Sequence, residues 1–496
     1  MSADTAILAA LATPLIGGLL ILLTGSIPNL REAVTLVTAA VLFLIVASIT
    51  PTVLAGDRPE VTLLQMLPGL DITFRVEPLG MLFGLIASGL WIINSIYSIG
   101  YMRGNDEGHQ TRFYFFFAVA LSSAVGVAFS GNMLTLFVCY EVLTLSTYPL
   151  VTHHGDANSL RSGRIYMGIL LGTSIGLLLF GMVWTWHVAG TLNFTQGGIL
   201  EGKADETITV ALLFLYMFGI GKAALMPIHR WLPAAMVAPT PVSALLHAVA
   251  VVKAGAFTVV KVIVYIFGVD FLADTGATEW LMIVAAATLL IASVVAMRKD
   301  NLKARLAYST ISQLSYIVLG AALVTGTAII GAGMHLAMHA MGKITLFFCA
   351  GAIYTAAHKT EISQLNGIGR TMPITMGAFA IASLSIIGIP PLGGSWSKFQ
   401  LMLGAAEGDH LVYVFVYAAS SLLSAAYLVP IIARAFLLPP EAKSAGAAAA
   451  HEGGIQEAPL PCLIALCTTA VGAIALFFYA DAIAALLAPI TGPITG

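Results

Sequence analysis

The sequence predicts an all-α membrane protein of about 14 transmembrane helices, and composition and hydropathy are the two observations behind this prediction. The chain has 496 residues, of which 59% are hydrophobic and 9% are charged. Soluble domains carry roughly 25% charged residues, so a soluble fold could not cover this much apolar surface. Apolar stretches of about 20 residues, long enough to cross a bilayer as a helix, recur along nearly the whole chain. We therefore expect lipid to be the solvent for most of the protein surface.

The predicted helices begin and end where apolar runs meet charged, glycine-rich or proline-rich segments. Numbered in chain order, they cover residues 5–25, 33–54, 79–100, 114–130, 133–151, 165–188, 208–236, 242–268, 280–297, 306–324, 328–356, 373–403, 411–437 and 460–487. Residues 61–78 alternate in polarity, which indicates an extracytoplasmic loop with a short hairpin. Residues 439–459 are rich in alanine and glycine, which is typical of a flexible linker, here a cytoplasmic one before helix 14.

The distribution of basic residues gives these helices an orientation. If both termini lie outside, alternating spans place 14 lysines and arginines in cytoplasmic loops or at the helix ends beside them, 3 in outer loops and 5 in helix interiors. Cytoplasmic loops of membrane proteins carry such an excess of basic residues, and an odd number of helices would remove it. We therefore expect a multi-pass protein of a bacterial inner membrane with both termini outside.

Several charged residues lie where lipid should surround the chain. An ionisable group at the bilayer centre costs about 2.5–3.5 kcal/mol on insertion scales. A lysine near a helix end can avoid this cost by extending its ammonium group to the interface, and this explanation suits Lys261. The other four lysines and the glutamate need a functional explanation. The residues within predicted helices are Glu141, Lys222, Lys253, Lys261, Lys343 and Lys398.

These groups suit a proton relay. Burial in a low dielectric disfavours the charged form of a lysine, and a nearby carboxylate favours it. Several lysines beside one glutamate cannot all stay charged, so some must be neutral part of the time. Lys222 is the expected partner of Glu141. The alternative for these two residues is an ion pair that only holds two helices together.

Two predicted helices contain prolines beside a lysine. In helix 7, Pro227 follows Lys222, and in helix 12 the segment 388–394, which contains Pro390 and Pro391, precedes Lys398. Proline removes a backbone donor and clashes with the preceding turn, so both helices should break. Irregular backbone at membrane depth is tolerated only where it is buried in protein or lines a water-filled cavity. Because the two breaks lie in helices of opposite direction, they indicate inverted repeats.

Histidines accompany the lysines on two helices. His247 and Lys253 lie on helix 8, and His335, His339 and Lys343 lie four residues apart on helix 11, which places them on one helical face. Histidine titrates near neutral pH and suits proton transfer through intervening water. The alternatives are a metal site or structural histidines bonded to backbone carbonyls. No carboxylate or cysteine completes a zinc motif, so we expect no metal.

These motifs resemble the antiporter-like subunit family of respiratory complex I, membrane-bound hydrogenases and Mrp-type Na⁺/H⁺ antiporters. The resemblance covers about residues 75–440. A lysine at position 398, where some members have glutamate, is similar to the D-type subunit of the Mrp antiporters or its complex I counterparts. The matching motifs are Glu141, Lys222 before Pro227, the run from Arg230 to His247 containing Pro-Thr-Pro-Val-Ser-Ala-Leu-Leu-His, the run from His339 to Phe348, and Gly-Ile-Pro-Pro-Leu-Gly-Gly followed by Trp396 and Lys398.

The resemblance implies two inverted five-helix repeats, helices 4–8 in residues 111–270 and helices 9–13 in residues 271–438. Helices 1–3 precede them in residues 1–110, and the linker with helix 14 follows in residues 439–496. The implied proton-carrying residues are Glu141, Lys222, His247, Lys253, His335, His339, Lys343 and Lys398. In that order, the first two form a paired switch, the next two pass protons laterally, the following three continue the path, and the last gates the outer side.

Two functions follow from the resemblance. The protein is expected to be the proton-translocating subunit of a multisubunit Na⁺/H⁺ antiporter, or else a proton-pumping subunit of an NADH:quinone oxidoreductase or energy-converting hydrogenase. A non-transporting assembly subunit is disfavoured, because it would not need costly buried charges beside two broken helices. The sequence has no Fe–S, flavin or nicotinamide motif, so we expect no cofactor and assign any redox chemistry to partner chains. The expected partners are other membrane subunits, protons, Na⁺ in the antiporter case, and lipid, but no nucleic acid.

Overall fold

The computed structural model describes residues 2–67, 70–440 and 454–492, without the side chains of Leu67 and His247. The predicted linker therefore lies mostly outside the described residues. The two strands, β1 and β2, are Glu60–Leu67 and Leu70–Arg75. The α-helices, α1 to α21 in chain order, are Ala3–Leu23, Pro28–Leu54, Pro78–Gly104, Gln110–Ala128, Met133–Val151, Ala157–Thr173, Leu179–Ala189, Glu206–Gly219, Trp231–Ala234, Thr240–Ala244, Val251–Val262, Val269–Thr275, Glu279–Arg298, Leu302–Ala322, Gly326–Ala357, Ile368–Thr371, Pro373–Ile387, Gly394–Glu407, Leu411–Leu437, Leu460–Phe478 and Ala480–Leu487.

The all-α membrane class is confirmed, whereas the count of fourteen spans stays a prediction. Within the described residues, ten helices are long and apolar enough to cross a membrane, or eleven if a pair bent by 80° at Gly268 is one span. Predicted helices 7, 8, 10 and 12 are absent from the ten. Three of them are divided into shorter helices, and the fourth, α14, has buried serines and a buried glutamine on its interior side.

Helix α15 forms the centre of the bundle. Over its most apolar 18 residues, 94% of the positions are buried, whereas the corresponding value for α2 is 33%. Large apolar side chains on the outer helices are exposed instead, for example Leu19 at 59% and Leu44 at 66%. This pattern, with polar groups inside and apolar groups outside, is the one expected of a protein whose solvent is lipid.

The predicted hairpin is confirmed. Strands β1 and β2 pair in antiparallel register, although the turn at residues 68–69 lies outside the described residues. Phe74 pairs with Ser130 through an isolated antiparallel β-bridge, and the Arg75 guanidinium donates a hydrogen bond to the backbone carbonyl of Phe194. The hairpin thus packs onto the loops at residues 130–132 and 190–205, and we call this end of the bundle the hairpin end.

The loops with most of the basic residues meet at the opposite end. Arg112 donates to the carbonyl of His153, and Lys303 donates to the carbonyl of Ala238. These contacts join the loops that begin at residues 105, 152, 235 and 299, which we call the basic end. Loops predicted on one side of the membrane therefore lie together, as alternating spans require. Which end faces the cytoplasm stays a prediction from the positive-inside rule.

Both predicted helix breaks are present. The chain leaves α8 at Gly219, forms a short 3₁₀ turn at Gly221–Ala223 and places Ala224 in the left-handed region at φ 55°. An alanine in that region is strained and persists only where surrounding contacts hold it. Between α17 and α18, Gly388 has φ 97°, a value that glycine adopts without a Cβ clash. Since α8 starts at the hairpin end and α17 at the basic end, the two broken helices are antiparallel.

Candidate functional site

Lys222 lies at the first break and is fully buried. Its ammonium group donates to the Tyr140 carbonyl at 2.9 Å and to the Thr144 hydroxyl at 2.5 Å, and it lies 3.1 Å from the centre of the Tyr140 ring. The break brings the lysine to α5 because Gly255 of α11 packs directly on it. A Cβ at residue 255 would come within 2.3 Å of the Lys222 carbonyl carbon.

Glu141 is an electrostatic neighbour of Lys222, but the two do not form a direct ion pair. The lysine ammonium is held by α5 backbone and hydroxyl groups, while Ser174 is the other polar neighbour of the carboxylate. Glu141 is half-buried, and Val142 beside it is 41% exposed. Although this stretch of α5 is partly exposed, both carboxylate oxygens of Glu141 are buried and, within the described residues, have no hydrogen-bond partner.

We call the buried series Lys253, His339, His335 and Lys398 the row. Its closest contact between two titratable side chains joins Lys253 to His339. The lysine Nζ lies 2.6 Å from Nδ1 of His339, and both residues are about 1% exposed. The contact links α11 to the central helix α15. The family resemblance implies that His247 passes protons laterally together with Lys253, and this stays a prediction because the side chain of His247 lies outside the described residues.

The two histidines of α15 continue this contact toward the hairpin end. The rings of His335 and His339 stack with their centroids 5.7 Å apart, as the spacing of four residues predicts. Nδ1 of His335 lies 2.9 Å from the Ser397 hydroxyl, and its ring stacks on Tyr316 with centroids 5.5 Å apart. Both partners of His335 also adjoin Lys398, so the histidine pair leads directly to the second break.

Lys398 closes the row. Its ammonium donates to the Ile387 carbonyl at 3.2 Å, to the Ser421 hydroxyl at 3.0 Å and to the Tyr316 hydroxyl at 3.4 Å. It also lies 4.6 Å from the centre of the Tyr316 ring. The carbonyl of Ile387 is available because α17 ends at this residue, which shows why the break and the lysine occur together.

The two broken helices share a local arrangement. Lys222 lies over Tyr140 and Lys398 lies over Tyr316, and in both pairs the lysine and the tyrosine are 82 residues apart. The same lysine–tyrosine contact therefore occurs at corresponding positions in two halves of the chain. This correspondence agrees with inverted repeats and was not visible in the sequence, because each pair is formed by residues on different helices.

Lys343 lies on the same face of α15 as the histidines, one turn nearer to the basic end, but it turns toward α14. Its ammonium donates to the Ser309 hydroxyl at 2.6 Å and to the Leu306 carbonyl at 3.3 Å. Ser309 in turn lies 2.7 Å from the hydroxyl of Tyr427. Lys343 is thus adjacent to the row along the helix without bonding directly to it.

Lys261 does not extend to the membrane interface as expected. It is fully buried, donates to the Ser130 carbonyl at 2.6 Å and lies 3.5 Å from a carboxylate oxygen of Glu77. The snorkelling interpretation is therefore wrong for this residue. A buried acidic partner, Glu77 just before α3, removes the need to reach solvent. Lys261 lies at the hairpin end, away from the row.

Hydroxyl and aromatic side chains are the part of the site that sequence analysis missed. They are Tyr140, Thr144, Ser309, Tyr316, Ser397, Ser421 and Tyr427. Serine, threonine and tyrosine are common in membrane helices, so no one of them is diagnostic alone. The one usable signal in the sequence was the number of polar residues in α14, among them Gln313. These residues lower the mean hydropathy of α14 below that of a simple membrane span.

Buried polar atoms beside the row indicate where internal water would bind. Among the described residues, both polar atoms of the Gln313 side chain and Nε2 of His335 have no hydrogen-bond partner. Buried polar groups without protein partners are usually bonded to ordered water. The row thus combines groups that exchange protons with positions suited to water. Among the described residues, no group of three or more acidic, histidine or cysteine side chains could hold a metal ion.

A family model described as "NADH:quinone oxidoreductase/Mrp antiporter, TM" matches residues 130–424. This match covers more than half of the chain and both broken helices, so the protein belongs to this family. The matched region contains Glu141, Lys222 and every residue of the row from Lys253 to Lys398.

The similar proteins include subunits of two kinds of complex. The chain is 31% identical over 417 residues to NADH-quinone oxidoreductase subunit N of Desulforudis audaxviator, which covers 83% of this chain and 82% of that protein. It is 30% identical over 336 residues to the D-type Na(+)/H(+) antiporter subunit of Alkalihalophilus pseudofirmus, and that match covers 67% of each protein. The chain spans only 58% and 37% of the length of two other relatives that it matches.

A solved structure of the Mrp complex from Dietzia sp. DQ12-45-1b contains a chain of the same fold. The TM-score is 0.85 with 22% sequence identity, and the match covers 99% of this chain and 97% of that chain. At this identity the likeness shows the fold alone.

Proposed function

We propose that the protein is the proton-translocating membrane subunit of a multisubunit monovalent cation/proton antiporter. The observation that carries this proposal is the row of contacts from Lys253 through His339 and His335 to Ser397, Tyr316 and Lys398. A neutral histidine can accept a proton at one ring nitrogen and release one from the other. The likeness of the chain to a D-type Na(+)/H(+) antiporter subunit supports the same function.

Each predicted site residue has a place in this proposal. Glu141 and Lys222 form the switch, in which approach of the carboxylate favours the charged lysine and withdrawal favours the neutral one. Lys253 passes protons to the α15 histidines, together with His247. Lys343 supplies the histidine pair from the basic end, since it lies one helical turn away from His339. A fourth step, at Lys398, controls release at the hairpin end.

The surroundings of the protein are part of the proposal. We infer that helices 4–8 in residues 111–270 and helices 9–13 in residues 271–438 form the repeats, and that both termini lie outside a bacterial inner membrane. The partners would be other membrane subunits, since the similar solved chain comes from a complex. The described residues hold no acidic cluster suited to Na⁺, so the cation path would lie in those partners.

A proton-pumping subunit of an NADH:quinone oxidoreductase or energy-converting hydrogenase is the second candidate. It is favoured by the relative from Desulforudis audaxviator, an NADH-quinone oxidoreductase subunit N that matches 83% of this chain. The same row of side chains could carry protons in either kind of complex. In this candidate the redox centres would belong to partner chains, and the row would move protons in response to electron transfer there.

The test is to purify the intact complex that contains this chain, identify its subunits and reconstitute it in liposomes with a pH-sensitive dye. Proton movement driven by a Na⁺ gradient would support the antiporter, and movement driven only by electron donors would support the redox candidate. The variant Lys253→Met should reduce proton flux by about tenfold or more, because it removes a proton-exchanging group from the row.

Lys261→Met is the matched control, since it changes the same residue type on the same helix outside the row. It should retain most of the flux in complexes that assemble with the same subunits. Equal flux in both variants and in the unmodified complex would contradict the relay.

A further inference from the structure

A cavity of about 220 Å³ opens at the basic end, between five loops of the chain. This volume has room for several water molecules, each of which occupies about 30 Å³ in the liquid. We call the cavity the vestibule. Its titratable lining residues are Tyr101, Glu107, His154, Lys303, Tyr354 and Lys359.

Glu107 is the central titratable group of the vestibule. One of its carboxylate oxygens lies 3.7 Å from Nε2 of His153 and 3.7 Å from Nδ1 of His154. Lys303, on α14, is its other charged neighbour, and Tyr101 on α3 also faces it. Partial burial raises the pKa of Glu107, while the charges of His154 and Lys303 act in the opposite direction. The carboxylate is therefore placed among groups that can exchange a proton with it.

The vestibule lies next to the buried row. Leu302 and Lys303, the first residues of α14, line it. One turn further along α14, the Leu306 carbonyl accepts a hydrogen bond from Lys343, and Ser309 accepts a second. At 1.5 Å per residue, the lining of the vestibule and these acceptors are only about 5–10 Å apart along the helix.

Helix α15 gives the same relation from its own side. Ala350 and Tyr354 line the vestibule, and Lys343 lies about two turns further into the bundle on the same helix. Beyond Lys343, the next turn carries His339. Two helices thus lead from the vestibule to the same lysine, and this lysine adjoins the histidines of the row.

We propose that the vestibule is the entry site through which protons from the basic end reach Lys343, with Glu107 as the group that receives them. This inference rests on the proposed function of the row. A proton passes from water to the Glu107 carboxylate, then through vestibule water to the amine of Lys343, and Glu107 returns to its ionised form. No other bond forms or breaks.

The chemistry of the lining fits protons better than a metal cation or an anion. Na⁺ would need several oxygen ligands and would be repelled by the Lys303 ammonium. An anion would meet the Glu107 carboxylate. A carboxylate beside imidazoles and an amine is instead a set of groups that all bind and release protons within a few ångströms of one another.

The test is Glu107→Gln in the reconstituted complex, with Asp106→Asn as the matched control. Both changes remove one carboxylate from the same loop, but Asp106 is exposed and lies outside the vestibule. Asparagine also tolerates the left-handed backbone of residue 106, where φ is 50°. We expect Glu107→Gln to lower proton uptake from the basic end by about tenfold and Asp106→Asn to leave it unchanged.

Chemical rescue separates a proton-transfer role from a structural one. Formate, a small weak acid, should restore part of the flux in Glu107→Gln because it can carry protons into the vestibule. If Glu107→Gln prevents assembly, His154→Gln at the vestibule rim should show a smaller loss that formate also rescues. Proton flux in Glu107→Gln equal to that of Asp106→Asn would overturn the vestibule and leave the row intact. An unmodified complex that moves no protons would overturn the proposed function and this inference with it.

Discussion

At the residue scale, the two lysines of the row and the buried residues Lys222 and Lys343 are held by neutral groups. Lys222, Lys343 and Lys398 donate to carbonyl and hydroxyl oxygens, and Lys253 contacts an imidazole. Such partners allow an ammonium to lose its proton without leaving a buried carboxylate unpaired. Lys261 differs, because its ammonium lies 3.5 Å from a carboxylate oxygen of Glu77, and a carboxylate neighbour favours the charged form of a lysine. The type of partner, neutral or acidic, thus distinguishes the lysines of the candidate site from Lys261, whose contact is structural.

His153 gives a residue-scale prediction about pH. Burial, together with the charge of His154, lowers the pKa of His153 from 6.5 to about 4. The unfolded chain therefore binds more protons between these values, and the free energy of unfolding should fall as the pH decreases from 6.5 to 4. Replacing the residue in His153→Gln should remove about 1–3 kcal/mol of this pH dependence.

Thermal unfolding of the purified complex across that pH range would measure the effect. His187→Gln is the control, since it changes a histidine at the hairpin end of α7. Identical pH profiles for His153→Gln and the unmodified protein would show that His153 is not held neutral by the fold.

At the scale of helices, the sequence was most informative where the chemistry is local. Proline breaks a helix by its own covalent structure, so the interruptions near Pro227 and Pro390 could be predicted and are present. The spacing of His335 and His339 likewise predicted that they share one helical face, and their rings do lie together on α15. Contacts between helices were not predictable, because the Lys253–His339 contact depends on how α11 meets α15. The expected partners of Lys253 and Lys222 were chosen without that information.

Gly255 gives a prediction at this scale. A Cβ added there would come within 2.3 Å of the Lys222 carbonyl carbon, so Gly255→Ala should push α11 away from the break. Overpacking of this kind costs about 1–3 kcal/mol, and proton flux should fall as Lys222 moves away from Tyr140.

Gly168→Ala is the matched control, because nothing lies within 4 Å of a Cβ at that position. Differential scanning calorimetry and flux measurements on both variants would check the prediction. A Gly255→Ala complex as stable and active as Gly168→Ala would mean that the close packing is not required.

At the scale of the whole molecule, composition and basic residues predicted the membrane class, the alternation of loops and the grouping of loops at two ends. The number of spans could not be fixed by hydropathy. The helices that are too polar to be recognised as membrane spans, such as α14, are those that bring polar groups to the centre of the bundle. The buried polar side chains of such helices therefore reduce the apolar signal from which spans are counted.

Topology provides a prediction at this scale. Thr360 lies at the basic end and Glu201 lies at the hairpin end, and both residues are exposed. A cysteine can therefore be placed at each position as a label site, in the variants Thr360→Cys and Glu201→Cys. If the positive-inside rule holds, a membrane-impermeant maleimide should label Glu201→Cys in intact cells and Thr360→Cys only after the membrane is opened. The reverse pattern would invert the orientation, while the unmodified protein, whose cysteines are all at least partly buried, serves as the control.

The repeated lysine–tyrosine contact has a consequence for the direction of transport. A proton path that has the same lysine–tyrosine contact at each end, in opposite orientations, has no preferred polarity of its own. Under the proposed function, polarity must come from what differs between the two contacts. Glu141 stands beside the first lysine, whereas the hydroxyl of Ser421 stands beside the second. This difference in charge makes the first lysine–tyrosine contact the one that a neighbouring protein of the complex could influence electrostatically. Such an influence would give proton movement along the row a single direction.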